Sequence, residues 1–150
     1  MADYPEKLSN LLGTLASIPD RGERIQVLIG IAERFKKVKV PESIATRPYP
    51  EDHKVPGCES QAYVWAIENP NGTLKFYFAV ENPQGISAMA TAVILDETLS
   101  GAPLDQIVRV PQDVIYTIFG NELSMGKSMG LMNLIGMVQH YVKQHLPPAA

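Results

Sequence analysis

Apolar positions recur along this chain at two spacings, and the change from one to the other divides it. Between Pro5 and Ser17, Leu8, Leu11, Leu12 and Leu15 fall three or four apart, which predicts an amphipathic helix with one buried stripe. Pro19-Asp20-Arg21-Gly22 breaks it. Asp20 with Glu23 three residues on has the form of a capping box, and it opens a second predicted helix over Arg21 to Lys37, with Ile25, Leu28, Ile29, Ala32 and Phe35 facing inward. From Val40 to Pro56, prolines at 41, 48, 50 and 56 forbid helix and predict an extended connection across the surface, with room for one short edge strand. The runs Ala62 to Glu68 and Thr73 to Val80 are rich in β-branched and aromatic residues. They bracket Asn69-Pro70-Asn71-Gly72, the pattern of an antiparallel hairpin.

Helical spacing then returns. Ile86 to Leu99 is apolar nearly all round, as expected of a helix central to the core. Gly101 ends it. Pro103 starts a short predicted helix to Val108, Pro111 another to Phe119, and Gly120-Asn121 interrupts again. A last helix, Lys127 to His145, turns Leu131, Leu134, Ile135, Val138 and Tyr141 or Val142 inward. With no internal repeat or low-complexity tract, the expected architecture is a single α+β domain over residues 1–150, its small antiparallel sheet packed by N-terminal and C-terminal helices.

Composition narrows the function classes. The chain has 150 residues, 45% of them hydrophobic, enough for a sizeable core. A net charge of -3 gives no broad attraction for nucleic acid or anionic lipid, so neither is an expected partner. The local cluster Arg34-Phe35-Lys36-Lys37-Val38-Lys39 reads as a solvated helix end. No run approaches the roughly 20 apolar residues that span a bilayer, and the first residues lack the apolar stretch of a signal peptide. A cytoplasmic location is expected, and the single cysteine agrees with a reducing compartment.

That cysteine, Cys58, lies in His53-Lys54-Val55-Pro56-Gly57-Cys58-Glu59-Ser60-Gln61. The Pro-Gly pair marks a turn, and polar residues follow, so the thiol is expected on a loop at a strand edge, within reach of a partner protein. Being alone, it can form neither an internal disulfide nor a multi-thiolate metal site. A peroxide-reducing thiol needs strong stabilisation of its thiolate, and the neighbouring Glu59 supplies none. A thiol that accepts sulfur needs access and alignment, because its partner brings an electrophilic persulfide. On the residues alone, sulfur acceptor, one-cysteine redox catalyst and inert structural cysteine all stand. His53, five residues upstream, is a candidate to polarise the thiol or a bystander. His140 and His145, five apart at a helix end, do not share a face and are expected in solvent. The methionines at 125, 129, 132 and 137 read as core filler or as an adaptable partner surface.

One motif misleads. Gly120 to Ser128 imitates a phosphate-binding loop, but five residues separate Gly120 from Gly126-Lys127-Ser128 where the loop needs four. The acidic run Ala92 to Glu97 also precedes it, the wrong order. These residues are expected to lead into a helix start, with Ser124 or Ser128 as cap.

Gly57-Cys58-Glu59-Ser60-Gln61, followed by Tyr63, Trp65 and an Asn-Gly turn, resembles the Gly-Cys-x-Ser-x-Val-Trp motif of the SufE family. Leu123-Ser124-Met125-Gly126-Lys127-Ser128-Met129-Gly130-Leu131 is similar to the family's Leu-(Ser/Thr)-Pro-Ser-Arg-x-(Asn/Gln)-Gly-Leu, and the order of predicted elements agrees over nearly the whole chain. Here Tyr63 stands at the usual Trp, Lys127 at the usual Arg and Met129 at the usual amide, so positive charge is kept at 127 without bidentate hydrogen bonding. The resemblance implies a SufE/IscU-like fold and a transient persulfide on Cys58, with Lys127 a possible support. The implied donor is a pyridoxal-phosphate cysteine desulfurase of the SufS type, and the implied recipient the Suf scaffold complex for iron–sulfur cluster assembly. No cofactor or metal would belong to this chain, which would act as a monomer or weak homodimer and show no independent turnover. The related IscU scaffolds need three cysteines for a cluster, and one excludes that role for a monomer. A persulfide must also be shielded from stray thiols, so Cys58 is expected to turn inward against an apolar wall, with the hairpin aromatics and the 86–99 helix beside it, until a partner draws its loop out.

Overall fold

The hairpin organises the fold in the computed structural model, which describes residues 4–121 and 123–147. Strands β1 (Ala62–Glu68) and β2 (Leu74–Val80) pair antiparallel, from Ala62 opposite Val80 to Glu68 opposite Leu74. Gly72 closes the turn at φ 84°, its N–H donating to the Asn69 carbonyl at 3.0 Å, while the Asn71 side chain accepts from the Thr73 N–H. A positive φ is what glycine permits at that step. Alternation along the strands then sorts the side chains. Ala62, Val64, Leu74, Phe76 and Phe78 enter the main core, whereas Tyr63, Trp65 and Ala79 form a smaller cluster on the outer face.

Helices α1 (Glu6–Ala16), α2 (Arg21–Ala32), α3 (Ile86–Leu99), α4 (Leu104–Ile107), α5 (Val114–Phe119) and α6 (Met125–His145) supply the rest of the core, giving an α+β architecture. The helix expected at the centre is there: α3 buries residues on every side and packs against α1, α2, α6 and β2. Its polar end is fastened to the sheet. Asp96 receives hydrogen bonds from Lys75 Nζ and Ser100 Oγ, and Ser100 Oγ in turn accepts from the Phe76 N–H at 3.0 Å. Asp96 is mostly buried, so Asp96→Ala is expected to cost about 2 kcal/mol by stranding Lys75. Urea denaturation of the variant checks this.

The Pro-rich connection does cross the surface, and it covers the outer face of the hairpin. Val40, Ala45 and Tyr49 pack on Tyr63, Trp65 and Ala79, with the Tyr49 ring 5.2 Å from Tyr63 and 5.5 Å from Trp65. The possible edge strand is reduced to single bridges, Lys39 with Phe78 and Lys54 with Tyr63.

Three helices depart from expectation, α5 by starting at Val114 rather than at Pro111. α2 ends at Ala32, and Glu33–Lys37 forms a 3₁₀ turn. Its buried face is Leu28, Ile31 and Ala32, whereas Ile25 is 44% exposed and Ile29 only half-buried. The cause is position: α2 packs mainly on α3 and the 3₁₀ turn, so one narrow face is covered. The start of α6 lies two residues earlier than expected because Ser124 caps it, its Oγ accepting from the Lys127 N–H at 3.2 Å. Gly126, Lys127 and Ser128 thus form an ordinary first helical turn. Among the described residues, no helix is long and apolar enough to cross a membrane.

Candidate functional site

Cys58 occupies the loop that leads into β1, at one end of the hairpin. Gly57 (φ 66°) and Gln61 (φ 53°) bracket it in the left-handed region, and the Gln61 N–H closes the loop on the Cys58 carbonyl at 3.0 Å. Glycine takes that conformation freely, whereas Gln61 is held in it against the preference of its side chain. The segment after β2 holds the other side. The N–H groups of Glu81 and Asn82 donate to the carbonyls of Gln61 and Ser60, both at 3.2 Å. Gly85 then lets the chain pass Ser60 closely, since a Cβ there would stand 2.9 Å from Ser60 Oγ.

The thiol is half-buried, packed against the edge of the main core, and opens on a cleft of about 200 Å³. Ile86, Ala88 and Leu131 form its apolar wall, and Ser60, Asn82, Gln84, Ser87 and Lys127 its polar side. The inward turn on an apolar wall is present, but that wall comes from α3 and α6. None of the four hairpin aromatics lines it: Tyr63 and Trp65 point to the opposite face of the sheet, and Phe76 and Phe78 are buried in the main core. Gly85, Ile86 and Ser87 are the N-cap and first turn of α3, and Lys127 lies in the first turn of α6. The N-terminus of α3 and the exposed Lys127 therefore border the cleft that holds the cysteine. A helix N-terminus favours a nearby negative charge by about 0.3–1 kcal/mol, which suits an anionic sulfur species beside α3. Among the described lining residues Glu59 is the only carboxylate. Its carboxylate lies over Gly126, where a Cβ would stand 2.6 Å from Oε1.

Of the three residues singled out by sequence, the structure brings two to this cleft, Cys58 and Lys127. His53 is elsewhere. Its ring stacks on Trp65 at 5.1 Å, and Nδ1 lies 2.8 Å from the Val64 carbonyl and 3.0 Å from the Tyr141 hydroxyl. A carbonyl can only accept, so Nδ1 carries a proton and binds the connection to β1 and α6. No hydrogen bond joins His53 to Cys58 among the described residues. His140 and His145 are exposed, as expected. Among the described residues there is no group of three or more His, Cys, Asp or Glu side chains able to hold a metal ion. Sequence inspection overlooked Gly85, Gly130 and Asn133. The signal for the last two was the helical spacing of Gly126, Gly130 and Asn133, which puts small or short side chains along one face of α6.

Two tyrosines, Tyr63 and Tyr141, titrate late. Burial is the main cause that raises the Tyr63 phenol above its ordinary value, helped by the carboxylates of Glu81 and Glu51 and by Tyr49. Burial and Asp52 raise Tyr141 in the same direction. The folded state therefore holds these protons more tightly than the unfolded chain. Their contribution to stability is complete below pH about 10 and is lost as pH rises through the raised values. Urea midpoints are expected to fall above pH about 10, and less so in Tyr63→Phe.

Comparison with known proteins gives three findings. The family described as "SufE: Fe-S metabolism associated domain" matches residues 9–142. A protein of Plasmodium vivax named "Cysteine desulfuration protein SufE" is 30% identical over 95 residues, which are 63% of this chain and 39% of that protein. The chain thus spans about two fifths of the length of that curated relative. The solution structure of a hypothetical protein from Thermus thermophilus superposes with a TM-score of 0.67 at 25% identity, covering 95% of this chain and 97% of that one. The match over 9–142 takes in the cysteine loop, the hairpin and the first turn of α6 together, and by it this chain belongs to the SufE family.

Proposed function

We propose that Cys58 accepts sulfur from the persulfide of a pyridoxal-phosphate cysteine desulfurase of the SufS type and carries it to the Suf scaffold complex for iron–sulfur cluster assembly. The observation that carries this is the lone, half-buried cysteine opening on a cleft bordered by the N-terminus of α3 and by Lys127, in a chain of the SufE family. In the transfer, the Cys58 thiolate attacks the outer sulfur of the donor persulfide. The donor's S–S bond breaks and its cysteine leaves as thiolate, so a persulfide and a thiolate exchange places with no net oxidation. The same exchange, with Cys58 as donor, delivers the sulfur onward. Lys127 and the α3 N-terminus offset the charge of the Cys58 persulfide anion, and the apolar wall of Ile86, Ala88 and Leu131 keeps stray thiols from it. The pyridoxal phosphate belongs to the donor. His53, packed among the outer-face aromatics, supports the fold and takes no part in the transfer.

Incubation with desulfurase and free cysteine, followed by intact-mass measurement, tests this. A gain of roughly 32 Da on Cys58, reversed by reductant, is expected. An unmodified protein that still stimulates the desulfurase overturns it.

A further inference from the structure

The cysteine loop rests on one face of α6 at three points. The Glu59 carboxylate lies over Gly126. Cys58 itself sits on Gly130, where a Cβ would stand 3.1 Å from Cys58 Cα and 3.2 Å from the Gly57 carbonyl oxygen. At the third point Asn133 Nδ2 donates to the Pro56 carbonyl at 2.8 Å. The first two are contacts of shape, which glycine permits without directing. The third is directional, and it falls on the residue where the loop begins, next to Gly57. The far side of the loop is tied by Glu81 and Asn82 to Gln61 and Ser60, which leaves the Asn133 bond as the directional tie at the Pro56-Gly57 end.

We propose that Asn133 is a positioning residue, a latch that holds the Cys58 loop on α6 and sets how often the thiol leaves its cleft. The proposal rests on Cys58 being the sulfur acceptor for its biological meaning, but the latch is measurable without any desulfurase. With the bond made, the sulfur stays against Ile86 and Leu131; with it broken, Gly57 can turn and carry Cys58 outward. A partner that competes for the Pro56 carbonyl or displaces Asn133 would therefore open the site as it docks.

The test compares wild type, Asn133→Ala and Asn133→Asp in the full chain. Asp preserves the shape and removes the donor, which separates the bond from the space it fills. The readout is the rate at which iodoacetamide alkylates Cys58 in the native protein, followed by intact mass at a pH where the thiol is fully ionised, so that exposure alone is compared. Both variants are expected to react about three- to tenfold faster than wild type, the range for loss of one neutral hydrogen bond. Their urea midpoints are expected to stay close to that of wild type, because Asn133 is half-buried at the surface. Rates within twofold of wild type in both variants overturn the latch, as does acceleration that tracks a fall in global stability. Faster alkylation with no persulfide formed from the desulfurase would leave the latch standing and remove the sulfur-acceptor role. A persulfide formed at unchanged alkylation rates would do the reverse.

Discussion

Cys58→Ser is expected to abolish both the sulfur adduct and the stimulation of a cysteine desulfurase, because no second thiol exists in the chain to take over. A serine hydroxyl keeps the size of the side chain, and the surrounding loop is fixed by backbone hydrogen bonds from Glu81, Asn82 and Gln61, so the variant should fold as wild type does. Loss of function without loss of stability would then be a loss of chemistry. The same pair of proteins separates the competing activities. A peroxide-reducing cysteine would show Cys58-dependent consumption of peroxide through a sulfenic acid, with no need of a desulfurase. An inert cysteine would leave Cys58→Ser as active as wild type. Desulfurase turnover with free cysteine, measured as sulfide released under reductant, decides between them. Full stimulation by the variant would sink the acceptor role.

Phe76→Ala is expected to have the largest effect on stability. The ring is fully buried on the inner face of β2, and the N–H of the same residue is bonded to Ser100 at the end of α3. Removing it leaves a cavity where the sheet meets the central helix, at a cost of about 4 kcal/mol. Against a total stability of about 5–15 kcal/mol for a domain of ordinary size, that is a large fraction. With a urea slope of about 2 kcal/mol/M, the midpoint should fall by about 2 M. A shift of less than half that amount would mean that α3 and the helices around it close over the gap.

The features legible in the sequence are those that a few consecutive residues determine. Asn-Gly within a five-residue turn specifies the hairpin, Asp20 with Glu23 marks the start of α2, and Pro56-Gly57 announces the bend that carries Cys58. What was not legible depends on neighbours distant in the chain. Ile25 fits a helical stripe as well as Ile31 does, and only the position of α3 decides which of them is covered. The aromatic residues near Cys58 in sequence were expected beside the thiol. Strand alternation sends Tyr63 and Trp65 to the other face, and the cleft is closed by α3 and α6, which lie about 30 and 70 residues further on. Lys127 reached the site through its motif, whereas Asn133 lies beyond the quoted motif and is recognised only once Pro56 is seen beside it.

The Pro-rich connection has a consequence for association. A two-stranded ribbon has no inner strand, so each strand carries a row of backbone groups facing outward, and such rows template pairing with other chains. Here a single stretch of chain blunts both. Val38 and Val40 bond to Phe78 along β2, and Val55 bonds to Ala62 along β1, with the prolines between them unable to offer donors of their own. Because the same segment guards the two sides, it acts as a strap whose ends depend on one another. A break between Val40 and Val55 would loosen both at once and turn a shielded hairpin into a surface that recruits its own copies.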